Sequence, residues 1–206
     1  MWRRPRPVVG LTDPQYDDKL HGIRELLSSL PENETALFQD EVDVNLNPKI
    51  GSCWMRRGTQ AEVVTPGNNQ KRHVAGSLHW RTGTLLVSQP RTRRNTELFL
   101  EHLDDLRRSL RGYTKIHVIC DNAAFHQSRA VRTYLDRWHD RIEIHFLPKY
   151  APQTNPVERV CWHFHETVTR NHRCRNLEEL LGQAYDWFQH AGRYYFEMRK
   201  VFPLAA

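Results

Sequence analysis

The sequence predicts an α/β fold: a mixed sheet of three antiparallel strands followed by two parallel strands, with helices on both faces. Two observations predict it. Between residues 35 and 90 the apolar residues recur in short strand-like runs, and beyond residue 95 helix-like and strand-like runs alternate. A third observation bounds it. A chain of 206 residues with 39% hydrophobic content has material for one sizeable core with short appendages, and no uninterrupted apolar run reaches the length of a membrane-spanning helix.

Residues 1–34 read as a basic linker and a helix. "MWRRPRPVVG" is basic but lacks the apolar stretch and cleavage site of a secretory signal, so a cytoplasmic location is expected. Leu20, Ile23, Leu26, Leu27 and Leu30 then mark one helical face, on a helix outside the main pattern. From Thr35 four β-type runs follow, "TALFQDEVDV", "SCWMRRGT", "RHVAGSLHW" and "GTLLVSQ", read as an antiparallel meander with "RTG" as the hairpin turn between the last two. "NTELFLEHLDDLRRSL" repeats Leu98, Phe99, Leu103, Leu106 and Leu110 at helical spacing, and "KIHVICDN" is a compact strand. "QSRAVRTYLDRW" is helical and "IEIHFLP" a strand. "NPVERVCWHFHETVTR" and "LEELLGQAYDWFQHAG" are two closing helices, so residues 35–206 read as one domain.

Composition narrows the chemistry only slightly. Four scattered cysteines, Cys53, Cys120, Cys161 and Cys174, form no C-x-x-C pair and read as reduced thiols. "CWHFHETVTRNHRC" invites a zinc reading, but its spacings match no standard zinc pattern. The formal net charge of +6 favours polyanionic partners without identifying one.

Three carboxylates carry more information. In "ALFQDEVDV" the residues Ala36, Phe38, Asp40, Val42 and Val44 point one way, so Asp40 interrupts an apolar face. It needs either an arginine partner or a cation, whereas Glu41 and Asp43 on the other face read as a solvated edge. Asp121 ends an apolar strand, the position at which open α/β sheets hold ligands and also an ordinary helix cap. Glu158 follows Asn155 and Pro156, a cap and a first helical residue, and its side chain can reach back to that cap.

Together these stretches resemble a known family. The strand order is that of a ribonuclease H-like core. "QDE", "CDNAAFH" and "LPKYAPQTNPVERVCW" are similar to the three acidic motifs of the DDE transposases, in the bacterial insertion-sequence branch of the mariner superfamily. The 36 residues between Asp121 and Glu158 fit that branch, and "WRRPRPVVGLTDP" resembles the segment joining its DNA-binding region to its catalytic domain. The resemblance implies that Asp40, Asp121 and Glu158 are catalytic and hold two Mg2+ or Mn2+ ions. It further implies phosphodiester cleavage and strand transfer at element ends, with transposon and target DNA as partners and a homodimer in the synaptic complex.

In that family helix-turn-helix modules precede the linker, and here about forty residues precede Asp40. The expectation is a chain without its own end-recognition module. A hydrolytic ribonuclease H-like or resolvase-like nuclease and an inactive DNA-associated remnant stand as alternatives. Arg91, Arg93, Arg94, Lys149 and Arg159, with "KRH" at residues 71–73, are candidates for phosphate contacts, although any one of them also reads as a solvated surface charge. Asn122 and His126 are candidate accessory residues, and Trp54, Trp80 and Trp162 read as packing residues.

Overall fold

A computed structural model of the chain describes residues 13–67 and 69–190. The basic stretch "MWRRPRPVVG" lies outside the described residues, as does the end of the chain from residue 191.

Helix α1 (Tyr16–Ser29) leads into strand β1 (Glu34–Asn45), followed by β2 (Lys71–His79) and β3 (Leu85–Val87). Next come α2 (Thr96–Ser109), β4 (Lys115–Cys120), α3 (Arg129–Trp138), β5 (Ile142–Phe146), α4 (Pro156–Phe164) and α5 (Leu177–His190). The sheet order is β3-β2-β1-β4-β5, with β3, β2 and β1 antiparallel and β1, β4 and β5 parallel. This is the predicted fold class. Gly83, at φ 66°, supplies the left-handed residue that the "RTG" turn requires.

The predicted alternation in β1 is present, and both faces are covered. Ala36 and Phe38 pack with Leu20, Ile23 and Leu27 of α1 and with Val157 and Val160 of α4. Farther along the same face, Val42 and Val44 meet Phe164 of α4 and Leu180, Ala184 and Phe188 of α5. On the other face Leu37, Ile116, Val118 and Ile142 meet Phe99, Leu103 and Leu106 of α2 and Val131 of α3. The apolar stripe of α1, which chain order sets apart from the sheet pattern, therefore lies inside the main core.

Two expectations are corrected. "SCWMRRGT" is not a strand: β1 pairs directly with β2, and the chain between them leaves the sheet, with Lys49 bridging to Arg170 instead. Trp54 on that segment is fully exposed and Trp162 half-exposed, whereas Trp80 is buried in the α1-side core. Residues 52–59 pair with neither edge of the sheet, and the register carries β1 straight into β2 without them. Helix α4 does not end cleanly at Phe164 but loosens into a π-helical turn over His165–Thr169.

Candidate active site

Sheet register alone brings the first two acids together. β1 and β4 run parallel with Phe38 opposite Ile119, so two further steps set Asp40 level with Asp121, just beyond the end of β4. Neighbouring strands lie about 4.8 Å apart, which makes these two residues lateral neighbours.

The third acid is brought in by a cap. The Asn155 side chain accepts from the Val157 N–H (3.3 Å), starting α4, and its amide donates to the Gln39 carbonyl (3.0 Å), one residue before Asp40. Pro156 occupies the first helical position as expected. The expected reach of Glu158 back to the cap does not occur, because the Asn155 N–H is already taken by the Pro152 carbonyl (2.9 Å). Glu158 faces a cleft of about 500 Å³ instead, and Asp40 and Asp121 line the same cleft. Asn122, Lys149, Tyr150 and Asn155 complete much of its wall.

The electrostatics of the cleft are those of crowded carboxylates. Burial, then the charges of Glu158, Glu41 and Asp121, push the Asp40 pKa up to about 8. No lysine or arginine among the described residues pairs with it; its carboxylate accepts from the Glu41 N–H (2.8 Å). Burial and the Asp121 charge also raise Glu158. Asp121 goes the other way. Burial opposes its charge, but the His126 ring, the Ala123 N–H (2.9 Å) and the Arg94 charge hold its pKa below the ordinary value.

His126 explains that difference. Its Nδ1 donates to Asp121 Oδ1 (2.9 Å) and its Nε2 to Glu41 Oε1 (3.1 Å), with ring and Glu41 side chain both buried. Both ring nitrogens donate, so the ring is an imidazolium. Burial works against that charge, but Asp121, Cys120 and Glu41 override it and bring the pKa to about 12. Glu41, expected on a solvated edge, is thus a buried partner, held also by the Gln39 amide (2.7 Å). Leu37 on the same face was the sequence signal that this face too is covered. Asp43 is half-exposed and pairs with His73 (2.7 Å), which removes His73 from the candidate phosphate contacts.

Asp13 was not anticipated. Its carboxylate accepts from Lys19 Nζ (2.8 Å), the Lys149 N–H (2.8 Å) and the Gln15 N–H (3.0 Å), and these bonds, the Lys19 one foremost, lower its pKa to about 2. The start of α1 thereby fixes the loop that carries Lys149 along the cleft. Asn122 similarly donates to the Leu147 carbonyl.

The other basic candidates separate. Lys149 is exposed at the cleft, Arg94 is exposed with its charge felt at Asp121, and Arg93 is exposed. Arg91 is committed to a two-bond pair with Glu101 (2.7 and 2.9 Å). Arg159 lies on α4 beside Glu158 with its guanidinium 5.2 Å from the Trp162 ring centre. Cys161, His165, His172 and Cys174 form no metal-ligating cluster among the described residues; His165 bonds Thr169 and His172 accepts from the Cys174 N–H. All four cysteines are free thiols.

Comparison with known proteins fits this arrangement. A family model described as DDE superfamily endonuclease matches residues 35–181. An uncharacterised 39 kDa protein of insertion element IS630 from Shigella sonnei is 34% identical over 203 residues, covering 98% of this chain and 56% of that protein. Mos1 transposase in a paired-end complex with the left transposon end superposes with a TM-score of 0.72 at 17% identity, over 98% of this chain and 63% of that one. The catalytic domain of Mos1 mariner transposase gives 0.63 at 16% identity, over 98% and 92%. The fold is ribonuclease H-like, and the chain spans little more than half the length of its insertion-element relative.

Proposed function

Because this chain belongs to the DDE superfamily of endonucleases, we propose that it is a transposase catalytic domain that cleaves and joins DNA phosphodiesters at the ends of an insertion element. The observation that carries the reading is the crowding of Asp40, Asp121 and Glu158 around one open cleft, with Asp40 raised to about 8 by its own burial and by the neighbouring carboxylates, and with no basic side chain among the described residues paired to it. An all-oxygen donor set of that charge suits hard divalent cations, Mg2+ or Mn2+. In this reading Asp40 and Asp121 hold two ions and Glu158 completes the coordination of one. When bound, the ions supply activation of the attacking oxygen and stabilisation of the leaving one in an in-line displacement.

The remaining residues position. His126, locked between Glu41 and Asp121, fixes the Asp121 carboxylate and keeps it ionised. Asn155 ties the first turn of α4 to β1, so Glu158 and Asp40 keep a fixed relation. Lys149 and Arg94, exposed beside the acids, meet backbone phosphates, with Arg93 and Arg159 farther along the path of the DNA. Element ends and target DNA are the substrates, and two copies of the chain act in the synaptic complex. The relative from an insertion element and the transposase structures of like fold support the substrate class.

The test is cleavage and strand transfer on a pre-nicked terminal-repeat duplex with Mg2+ or Mn2+. Wild type should join the 3′ end to a target plasmid, and Asp121→Asn should do neither while keeping DNA affinity. Cleavage without joining would move the reading to a hydrolytic nuclease, and activity retained by Asp121→Asn would refute it.

A further inference from the structure

A second group of ligating side chains lies part-way along the parallel strands β4 and β5. His117 in β4 is level with Glu143 in β5, and His145 follows two residues later on the same face. His117 stands four residues before Asp121, about 13 Å along an extended strand, so this group is separate from the acidic cleft.

Two ring nitrogens and the two oxygens of one carboxylate converge there. His117 Nδ1 and His145 Nε2 are 3.0 Å apart, His145 Nε2 is 3.7 Å from Glu143 Oε1, and His117 Nδ1 is 4.0 Å from Glu143 Oε2. In a tetrahedral zinc site, with bonds of about 2.0–2.1 Å, ligand atoms sit about 3.3 Å apart. One ligand atom from each of the three residues already lies within 4.8 Å of the other two, so turning the half-exposed Glu143 carboxylate toward the rings would close the site. The set is two imidazoles and one carboxylate, the composition that borderline divalent ions prefer over Mg2+.

The surroundings set the His117 ring as a metal ligand needs it. His117 Nε2 bonds Glu34 Oε2 at 2.9 Å, with the His117 side chain only 6% exposed. A carboxylate on one ring nitrogen keeps the proton there and leaves the other, Nδ1, as a lone pair aimed at His145 and Glu143, the arrangement that typically backs metal-bound histidines. Lys115 Nζ occupies Glu143 Oε2, leaving Oε1 on the His145 side. Glu143 is 45% exposed, which gives an ion a way in and leaves a fourth position open to water.

We propose that His117, His145 and Glu143 form a site for a zinc-class divalent ion, clasping β4 to the edge strand β5, with Glu34 orienting His117. In the absence of the ion the two rings share a proton. The inference is independent of the phosphodiester chemistry proposed above, since it uses none of those residues.

Co2+ is the probe, because its tetrahedral complexes absorb visibly where octahedral carboxylate or water complexes hardly do. The full chain carrying Asp40→Asn and Asp121→Asn is titrated, which removes the acidic cleft as a competitor. The expected result is one equivalent of tetrahedral Co2+ without thiolate charge-transfer bands, displaced by Zn2+, with Zn2+ also raising the melting temperature. His145→Gln, on the edge strand and only partly buried, should abolish the spectrum in a chain that still folds by circular dichroism, and Glu34→Gln should weaken affinity by about tenfold to a hundredfold. An unaltered Co2+ spectrum in folded His145→Gln would overturn the proposal. So would thiolate bands, or no tetrahedral absorption with the wild-type cluster.

Discussion

Asp40→Asn should stabilise the protein in EDTA at alkaline pH while abolishing its response to Mg2+ or Mn2+. The native pKa of Asp40 is about 8 against 3.8 unfolded, so between those values the folded state binds more protons than the unfolded one. The stability this group contributes is therefore complete below about pH 4, falls as pH rises, and is gone above about pH 8. Asparagine has nearly the same shape and does not titrate. Three pH units between 5 and 8 correspond to about 4 kcal/mol as a ceiling, and water in the open cleft reduces this, so a relative gain of about 2 kcal/mol or more is expected. At about 2–4 °C per kcal/mol, the variant should gain at least several degrees on wild type between pH 5 and pH 8.5 in EDTA. Added Mn2+ should then raise the wild-type midpoint by mass action and leave Asp40→Asn unmoved. Differential scanning fluorimetry across that range reads both effects. A variant that loses stability relative to wild type as pH rises, or that is stabilised by Mn2+ as much as wild type, would refute the view that Asp40 is a strained anion awaiting a cation.

Three further outcomes follow from named contacts. His126→Gln removes the cation between two carboxylates and leaves Glu41 buried without a charge partner, so urea denaturation at pH 7 should show a loss of about 3–5 kcal/mol, largely rescued by adding Glu41→Gln. Asn155→Ala deletes a helix cap and the tie to Gln39, costing about 1–2 kcal/mol, and should lower the cleavage rate more than DNA affinity because Glu158 loses its fixed relation to Asp40. Lys149→Ala should weaken DNA binding alike across sequences and reduce the slope of log affinity against log salt by about 1, as fluorescence anisotropy would measure.

The sequence was legible where local pattern and tertiary role coincide. The stripes Leu20, Ile23, Leu27 and Leu98, Phe99, Leu103, Leu106 are helix faces in both senses, and "KIHVIC" is a strand buried on both sides. Asp40 could be singled out because it breaks the alternation of a covered face. It failed where the outcome depends on a partner elsewhere. "SCWMRRGT" carries strand-forming residues, but β1 takes β2 as its antiparallel partner and the segment pairs with no strand, so Trp54 projects into solvent. Glu41 looked like a solvated edge because nothing local announces that His126, 85 residues away, lies beneath it. Asp13 was invisible for the same reason: besides its bond to Lys19 it holds the backbone of Lys149, 136 residues away.

The two charge systems of the cleft are opposite in kind, and that difference constrains how the proposed site would function. Glu41, His126 and Asp121 form a balanced set, an imidazolium between two carboxylates, which is satisfied within the chain and keeps Asp121 ionised. Asp40 and Glu158 are not balanced, and both are raised. Asp121 is therefore held charged and in place, while Asp40 and Glu158 remain short of positive charge among the described residues. A cation entering the cleft would find Asp121 ready and would draw the proton from Asp40, so its affinity should rise with pH up to about 8 and then level. The imbalance has a physical cause in the fold: the sheet register sets Asp40 level with Asp121, and the Asn155 cap fixes Glu158 over the same cleft.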